Sequence, residues 1–259
     1  MIFKTFKHII KNRIKYQVDL KAYRCVSSTN DFAKKNNACF NNGVFVALRQ
    51  KNGRGKLNRS FYSPKGGLYL SILLHPQKNI MEMQILTQLA AVATVNAIKY
   101  VFDINTYIKW VNDIYYNNKK ICGILCESSV NFESTDLEDY SVVGIGINLT
   151  APKNGFPKDI ENTAGALFNG KCSKKQKGRL AAHIVNNFFK LYNNLPNTDF
   201  LKEYKEKSIL INKPVIVKTL NDTFSAVALD IDENSNLIVN KNGEIIKLNS
   251  ADVSVKQCN

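Results

Sequence analysis

K-W-V-N-D-I-Y-Y-N-N-K-K-I-C-G-I-L-C-E, residues 109–127, decides how the rest of the chain is read. Two apolar-rich runs flank Asn117-Asn118. Asparagine tolerates the positive φ of a tight hairpin turn, so the stretch predicts two antiparallel strands. With the turn centred there, Tyr115 faces Lys120, and Asp113 lies diagonally from Lys120 on the same side of the pleat. A carboxylate and an ammonium are then presented together. Strict alternation sends Trp110, Ile114, Ile121 and Leu125 inward and puts Cys122 and Cys126 on the face of Lys120. Alone, the Asp113–Lys120 pair reads as an ordinary surface ion pair, which contributes little. Its neighbours along the chain change that reading.

The chain has 259 residues and 44% hydrophobic content, enough to bury a sizeable core in one large domain with one small addition. No apolar run reaches the roughly 18 residues of a membrane span, so a soluble, cytoplasmic protein with no membrane partner is expected. The net charge of +15 is uneven, with fourteen Lys or Arg in positions 1–60 against Asp19 and Asp31 alone. Such a field suits nucleic acid, nucleotide phosphates or an acidic protein. Six cysteines and three histidines lack zinc-ligand spacing and a short disulfide framework, so no zinc is expected and the thiols read as reduced and mostly buried. Residues 1–18 are basic and acid-free, with interleaved Phe3, Phe6, Ile9, Ile10 and Ile14. They read as a lead-in to the domain, with an organellar transit peptide as the alternative.

A short strand over Tyr23–Val26 is followed by Ser27-Ser28-Thr29-Asn30, where Ser28 or Thr29 caps a helix and the same hydroxyls and amides suit a polar ligand. Another strand, Val44–Gln50, leads into K-N-G-R-G-K-L-N-R, residues 51–59. Gly53 and Gly55 let the backbone curl its N–H groups toward an anion, and Arg54, Lys56 and Arg59 supply charge. The loop matches neither a Walker A nor a G-x-G-x-x-G pattern. Residues 61–76 predict a turn at Pro64–Gly67 and a buried strand, residues 81–102 the main helix, and residues 133–139 a solvated acidic loop. The run Val142–Leu149 reads as a buried strand with glycines at 144 and 146 and one strong hydrogen-bonding side chain, Asn148. Helices are expected over 174–195 and 199–207, and from Lys213 short alternating runs predict a small β-barrel.

S-S-T-N-D (27–31), Q-K-N-G-R-G-K-L-N-R-S-F-Y-S-P-K-G-G-L-Y-L-S (50–71), the stretch 109–127 and V-V-G-I-G-I-N-L (142–149), in this order and spacing, resemble biotin-protein ligases, from about residue 23 to the end of the chain. The resemblance implies an α+β, class II synthetase-like fold. A central mixed β-sheet flanked by helices would span residues 1–208, with the small C-terminal β-barrel at 209–259. It implies that biotin and ATP, with magnesium, give biotinyl-5'-adenylate and pyrophosphate. The biotinyl group then passes to a lysine of a biotin carboxyl carrier domain such as that of acetyl-CoA carboxylase. The chain looks like the monofunctional form that lacks an N-terminal DNA-binding module, so no specific DNA partner is expected. Homodimerisation, common in the family, is left open by the residues.

Residue by residue, the resemblance makes Ser28, Thr29, Asn30 and Gln50 polar partners of the biotin ureido ring or nearby groups. Arg54, beside Gly53, would contact the biotin carboxylate and phosphates, and Lys56 and Arg59 would fold over the adenylate. Phe61 stands where an aromatic stacks on adenine, and Asn148 where an asparagine bonds the base. Lys120 matches the lysine that reaches the biotin carboxylate and the α-phosphate. Asn112 and Asp113 fall where phosphates and magnesium are handled. The backbone of Gly123, Leu125, Gly144 and Gly146 would line the biotin slot. Three departures stand out: Lys56 for an arginine, Asn58 for a glycine and Val111 for a proline. The alternatives are a lipoate-protein ligase and a basic nucleic-acid-binding protein with a degenerate ligase domain.

Overall fold

A computed structural model of the chain describes residues 2–56, 59–75, 85–130, 138–219, 222–249 and 254–257. The expectations for Asn58, for the first turn of the main helix and for most of the acidic loop lie outside those residues. In chain order the elements are α1 (Ile2–Lys11), β1 (Asp19–Tyr23), α2 (Thr29–Lys35), β2 (Asn42–Ala47), β3 (Leu68–Leu74) and α3 (Leu86–Phe102). Then come β4 (Tyr107–Lys109), β5 (Asp113–Tyr116), β6 (Lys119–Val130), β7 (Glu138–Ile147), α4 (Lys174–Tyr192) and α5 (Phe200–Glu206). The chain ends with β8 (Lys213–Lys218), β9 (Thr223–Ile231), β10 (Leu237–Lys241), β11 (Glu244–Leu248) and β12 (Ser254–Gln257).

β1 to β7 form one sheet in the order β1-β2-β3-β7-β6-β5-β4. β1 runs parallel to β2 and the other pairs are antiparallel, which makes the sheet mixed. β3 is buried along its length, and its two faces have different destinations. Leu68, Leu70, Ile72 and Leu74 join the main core with α3 and α4, whereas Leu73 packs with Ala33 of α2 on the opposite face. Burial on both faces explains why this strand reads as a continuous apolar run. In α3 a row of buried alanines, with Thr94 and Val95, permits close packing under the sheet.

α1 belongs to the domain. Phe6 and Ile10, one turn apart, are fully buried. Gly178 of α4 allows the approach, because a Cβ there would stand 2.8 Å from Ile9 Cγ2. Removing this helix would expose the core. The expected strand at residues 23–26 lies earlier, at Asp19–Tyr23, with Val26 retaining only an isolated bridge to Gln50.

The turn at Asn117-Asn118 is as expected, with φ of 48° and 59°, the left-handed pair of a type I′ hairpin. Tyr115 pairs with Lys120. Strict alternation fails one residue later: the register shifts between Ile114 and Tyr115, so that Ile114 pairs with Cys122. This bulge sends both Ile121 and Cys122 into the core. Cys122 therefore leaves the face of Lys120, and Leu125, expected inward, turns to the face of Gly123 and Lys120.

The last strands form a five-stranded antiparallel sheet in the order β11-β10-β9-β8-β12. That is where the small barrel was expected, and no pair among the described residues joins its two edge strands. Val215, Val217, Ala228 and Val239 face its buried side. Trp110 Nε1 donates to Ser235 O at 3.0 Å and ties this sheet to the larger one.

Candidate active site

A cleft of about 830 Å³ opens on the face of the large sheet that carries α2, within the usual range for a small-molecule site. Of the residues singled out in the sequence, Ser28, Thr29, Asn30, Gln50, Arg54, Lys56, Arg59, Phe61, Asn112, Asp113, Lys120, Gly123, Leu125, Gly144, Gly146 and Asn148 all line it. Gly53 does not. It lies behind the wall, where a side chain would collide with Phe61 O and Ser63 Oγ.

One end of the cleft is a closed hydrogen-bond network. Ser28 caps α2 by accepting from Asp31 N at 3.3 Å, a local job that fixes the next two residues. Gln50 Oε1 accepts from Thr29 N at 2.7 Å and Thr29 Oγ1 at 3.0 Å, and Gln50 Nε2 donates to Ser63 Oγ at 3.0 Å. Ser71 Oγ, fully buried on β3, lies 2.7 Å from Thr29 Oγ1 and 2.6 Å from Asn30 Oδ1. Asn30 Nδ2 donates to Leu125 O at 3.3 Å and Glu127 Oε2 at 2.8 Å. Gly144 is required here, since any Cβ would collide with the Asn30 amide. Buried polar groups bonded to one another in this way hold one geometry.

The other end carries charge. Arg54 donates to Asp31 Oδ1 at 2.7 Å and also bonds Glu127 Oε1, which takes Lys34 Nζ at 2.6 Å. Its guanidinium remains partly exposed, so an incoming anion can exchange with these carboxylates. Lys120 Nζ lies 2.6 Å from Asp113 Oδ1. The Lys120 backbone is held from the other side, its N–H donating to Thr163 O and its carbonyl accepting from Gly165 N, both at 2.8 Å. Asn112 Nδ2 donates to Ile124 O at 2.7 Å, which fixes the hairpin entry despite Val111. Burial pushes the Lys56 ammonium below the ordinary lysine value, with Cys126 and Asp113 acting the other way. Burial also raises the Cys122 thiol, which keeps it protonated and suits packing rather than nucleophilic work.

Gly123 and Gly146 are cross-strand partners, and the Phe61 ring covers both. A Cβ on Gly146 would stand 2.7 Å from Phe61 Cε1, and one on Gly123 3.0 Å from Cε2. Asn148 is buried just beyond β7, its N–H bonded to Ile121 O and its carbonyl to Leu167 N.

Sequence reasoning missed Asp31, Ser71, Glu127 and Lys218. Asp31 and Glu127 sit inside the quoted motifs, yet nothing there shows that their carboxylates hold Arg54. Ser71 ends a motif, and only the pairing of β3 beside α2 reveals that it joins Thr29 to Asn30. No motif contains Lys218, which reaches the cleft from the small sheet.

The Biotin/lipoate A/B protein ligase family matches residues 22–148, and the Biotin protein ligase C terminal domain matches residues 210–256. The chain is 34% identical over 236 residues to the bifunctional ligase/repressor BirA of Bacillus subtilis (strain 168), covering 89% of this chain and 72% of that protein. It is 30% identical over 171 residues to the biotin–protein ligase of Homo sapiens, covering 63% of this chain and 22% of that one. In three dimensions it resembles the biotin protein ligase from Aquifex aeolicus in complex with biotin and ATP, with a TM-score of 0.76 and 24% identity over 93% of this chain and 99% of the other. That likeness establishes the fold: a mixed sheet with helices plus a separate small antiparallel C-terminal sheet. With the cleft, the ordered motifs and the identity to the Bacillus protein in agreement, the chain belongs to the biotin–protein ligase family.

Proposed function

We infer that the chain joins biotin to ATP as biotinyl-5'-adenylate and then passes the biotinyl group to a lysine of a biotin carboxyl carrier domain. The observation that carries this reading is the convergence of Arg54 and Lys120, from the 51–61 loop and a hairpin strand, on one cleft. Thr29, Asn30 and Gln50 suit a neutral cyclic urea, which offers both donors and acceptors. Beyond them a carboxylate would meet Arg54 and Lys120.

In the first step a carboxylate oxygen attacks the α-phosphorus, and the bond from that phosphorus to the bridging oxygen breaks as pyrophosphate departs. The two reactants repel each other. Fixed ammonium and guanidinium groups offset that repulsion and stabilise the charge that builds on the phosphoryl oxygens. Holding both reactants in one cleft supplies much of the remaining acceleration. Magnesium would enter with the nucleotide and offset phosphate charge. Asp113 fits it, since magnesium keeps most of its waters and takes one or two carboxylates beside the phosphates. The face of Phe61 away from Gly123 and Gly146 would stack on the base, and Asn148 would bond its edge.

In the second step the carrier lysine displaces AMP from the mixed anhydride. The loop of Arg54, Lys56 and Arg59 would shield that anhydride from water meanwhile. The direct test supplies biotin, lipoate or neither to an ATP/pyrophosphate exchange assay and then adds a purified carrier domain for mass measurement. Biotin-dependent exchange and a single-site mass shift are expected. Exchange with lipoate alone would make the chain a lipoate ligase, and salt-sensitive duplex binding without exchange would support the nucleic-acid reading.

A further inference from the structure

The cleft is built from the large sheet and its loops, with one addition: Lys218, from the small C-terminal sheet, also lines it. Its position is set by the fold. β8 lies between two neighbours, with Lys218 paired to Thr223 on β9 and to Ser254 on β12. Burial alternates along β8, so Val215 and Val217 fill the small core while Ile216 and Lys218 point out of it. The small sheet is fastened to the large one by the bond from Trp110 Nε1 to Ser235 O, two residues from Asn112. Tyr204 OH donates to Val111 O at 2.9 Å and steadies the same segment. Among the described residues no carboxylate pairs with Lys218, whereas Arg54 and Lys120 each hold an acid.

We propose that Lys218 binds the β- and γ-phosphates of ATP, and the pyrophosphate they become, from across the cleft. This rests on the ligase reading above. The vitamin end of the cleft is lined by neutral hydroxyls and amides, so an ammonium without an acid is useful at the phosphate end, where Asn112 and Asp113 stand beside the docking bond. When the bond from the α-phosphorus to its bridging oxygen breaks, the electron pair leaves on pyrophosphate. A cation on those oxygens stabilises the departing charge without any proton transfer. The small sheet would thus sense which nucleotide fills the cleft.

The test is steady-state exchange on the full chain with Lys218→Met, Lys218→Gln and Lys218→Arg, alongside biotin binding measured without nucleotide. In the uncharged variants KM for ATP is expected to rise about tenfold, the loss of one charge-assisted contact, and inhibition by added pyrophosphate to weaken in parallel. Biotin affinity is expected to stay the same, and Lys218→Arg to recover most of the ATP affinity. A merely structural role would lower biotin binding and melting temperature in all three variants and would overturn the proposal. So would an unchanged KM for ATP with unchanged pyrophosphate inhibition. A parent chain that shows no biotin-dependent exchange would instead refute the ligase reading itself.

Discussion

The two ends of the cleft solve different problems with different materials. At the end formed by Ser28, Thr29, Asn30, Gln50 and Ser71, hydroxyls and amides are buried and bonded to one another across α2, β3 and β6. At the end formed by the 51–61 loop, cations are partly exposed, and Arg54 borrows Asp31 and Glu127 as partners. The first end offers one fixed shape and no net charge, which suits a neutral ring recognised by hydrogen bonds. The second offers exchangeable charge, which suits anions that arrive, react and leave. Glu127 connects them, since one oxygen accepts from Asn30 and the other from Lys34 and Arg54.

The comparison breaks most visibly at the rigid end. Gly144→Ala is expected to push the Asn30 amide out of place and weaken biotin binding about a hundredfold, on the order of 2.7 kcal/mol, while ATP binding measured alone stays nearly constant. Equal losses for both ligands would mean that the two ends are one unit. Glu127→Ala addresses the connection and should cost about tenfold in biotin affinity by freeing Asn30 and leaving two cations without their shared acid. Calorimetric titration with biotin reads both variants.

The smallest effect belongs to the charged end and appears with pH. The folded pKa of Lys56 lies below its unfolded value. The folded state therefore binds fewer protons between the two values, and stability should rise with pH across that window. Over the same window the loop loses one of its cations. Release of free biotinyl-adenylate is expected to grow about twofold to threefold as the pH rises toward the ordinary lysine value, as read by labelling of bystander lysines. Lys56→Arg, with a charge that persists at high pH, should flatten the profile. Lys56→Gly should raise release at every pH, and clean labelling of the carrier alone would argue against the loop as a shield.

The hairpin, its Asn117-Asn118 turn and the Asp113–Lys120 pair were legible because a turn fixes the register close to it. The bulge was not. Ile121 and Cys122 are both apolar, so the pattern gives no sign that one of them is the extra residue, and a slip of one residue exchanged the faces of Cys122 and Leu125. β3 was legible as buried from its unbroken apolar run, but which of its side chains serves the core and which the cleft depends on α2 crossing one face. Ser71 became a site residue only through that crossing. The carboxylates that hold Arg54 were hidden for a related reason. Glu127 lies 73 positions from Arg54, and only the packing of β6 beside α2 brings them together. Lys218 shows the limit most clearly, since its place in the cleft depends on how the small sheet docks on Trp110.

The central claim is that Lys120 and Arg54 act on one carboxylate and one nucleotide in the same cleft. Biotin-dependent ATP/pyrophosphate exchange by Lys120→Ala tests it most directly. The account predicts a fall of at least about tenfold, on the order of 1.4 kcal/mol or more in the barrier, in a variant that melts like the parent. Exchange at the parental rate would contradict it.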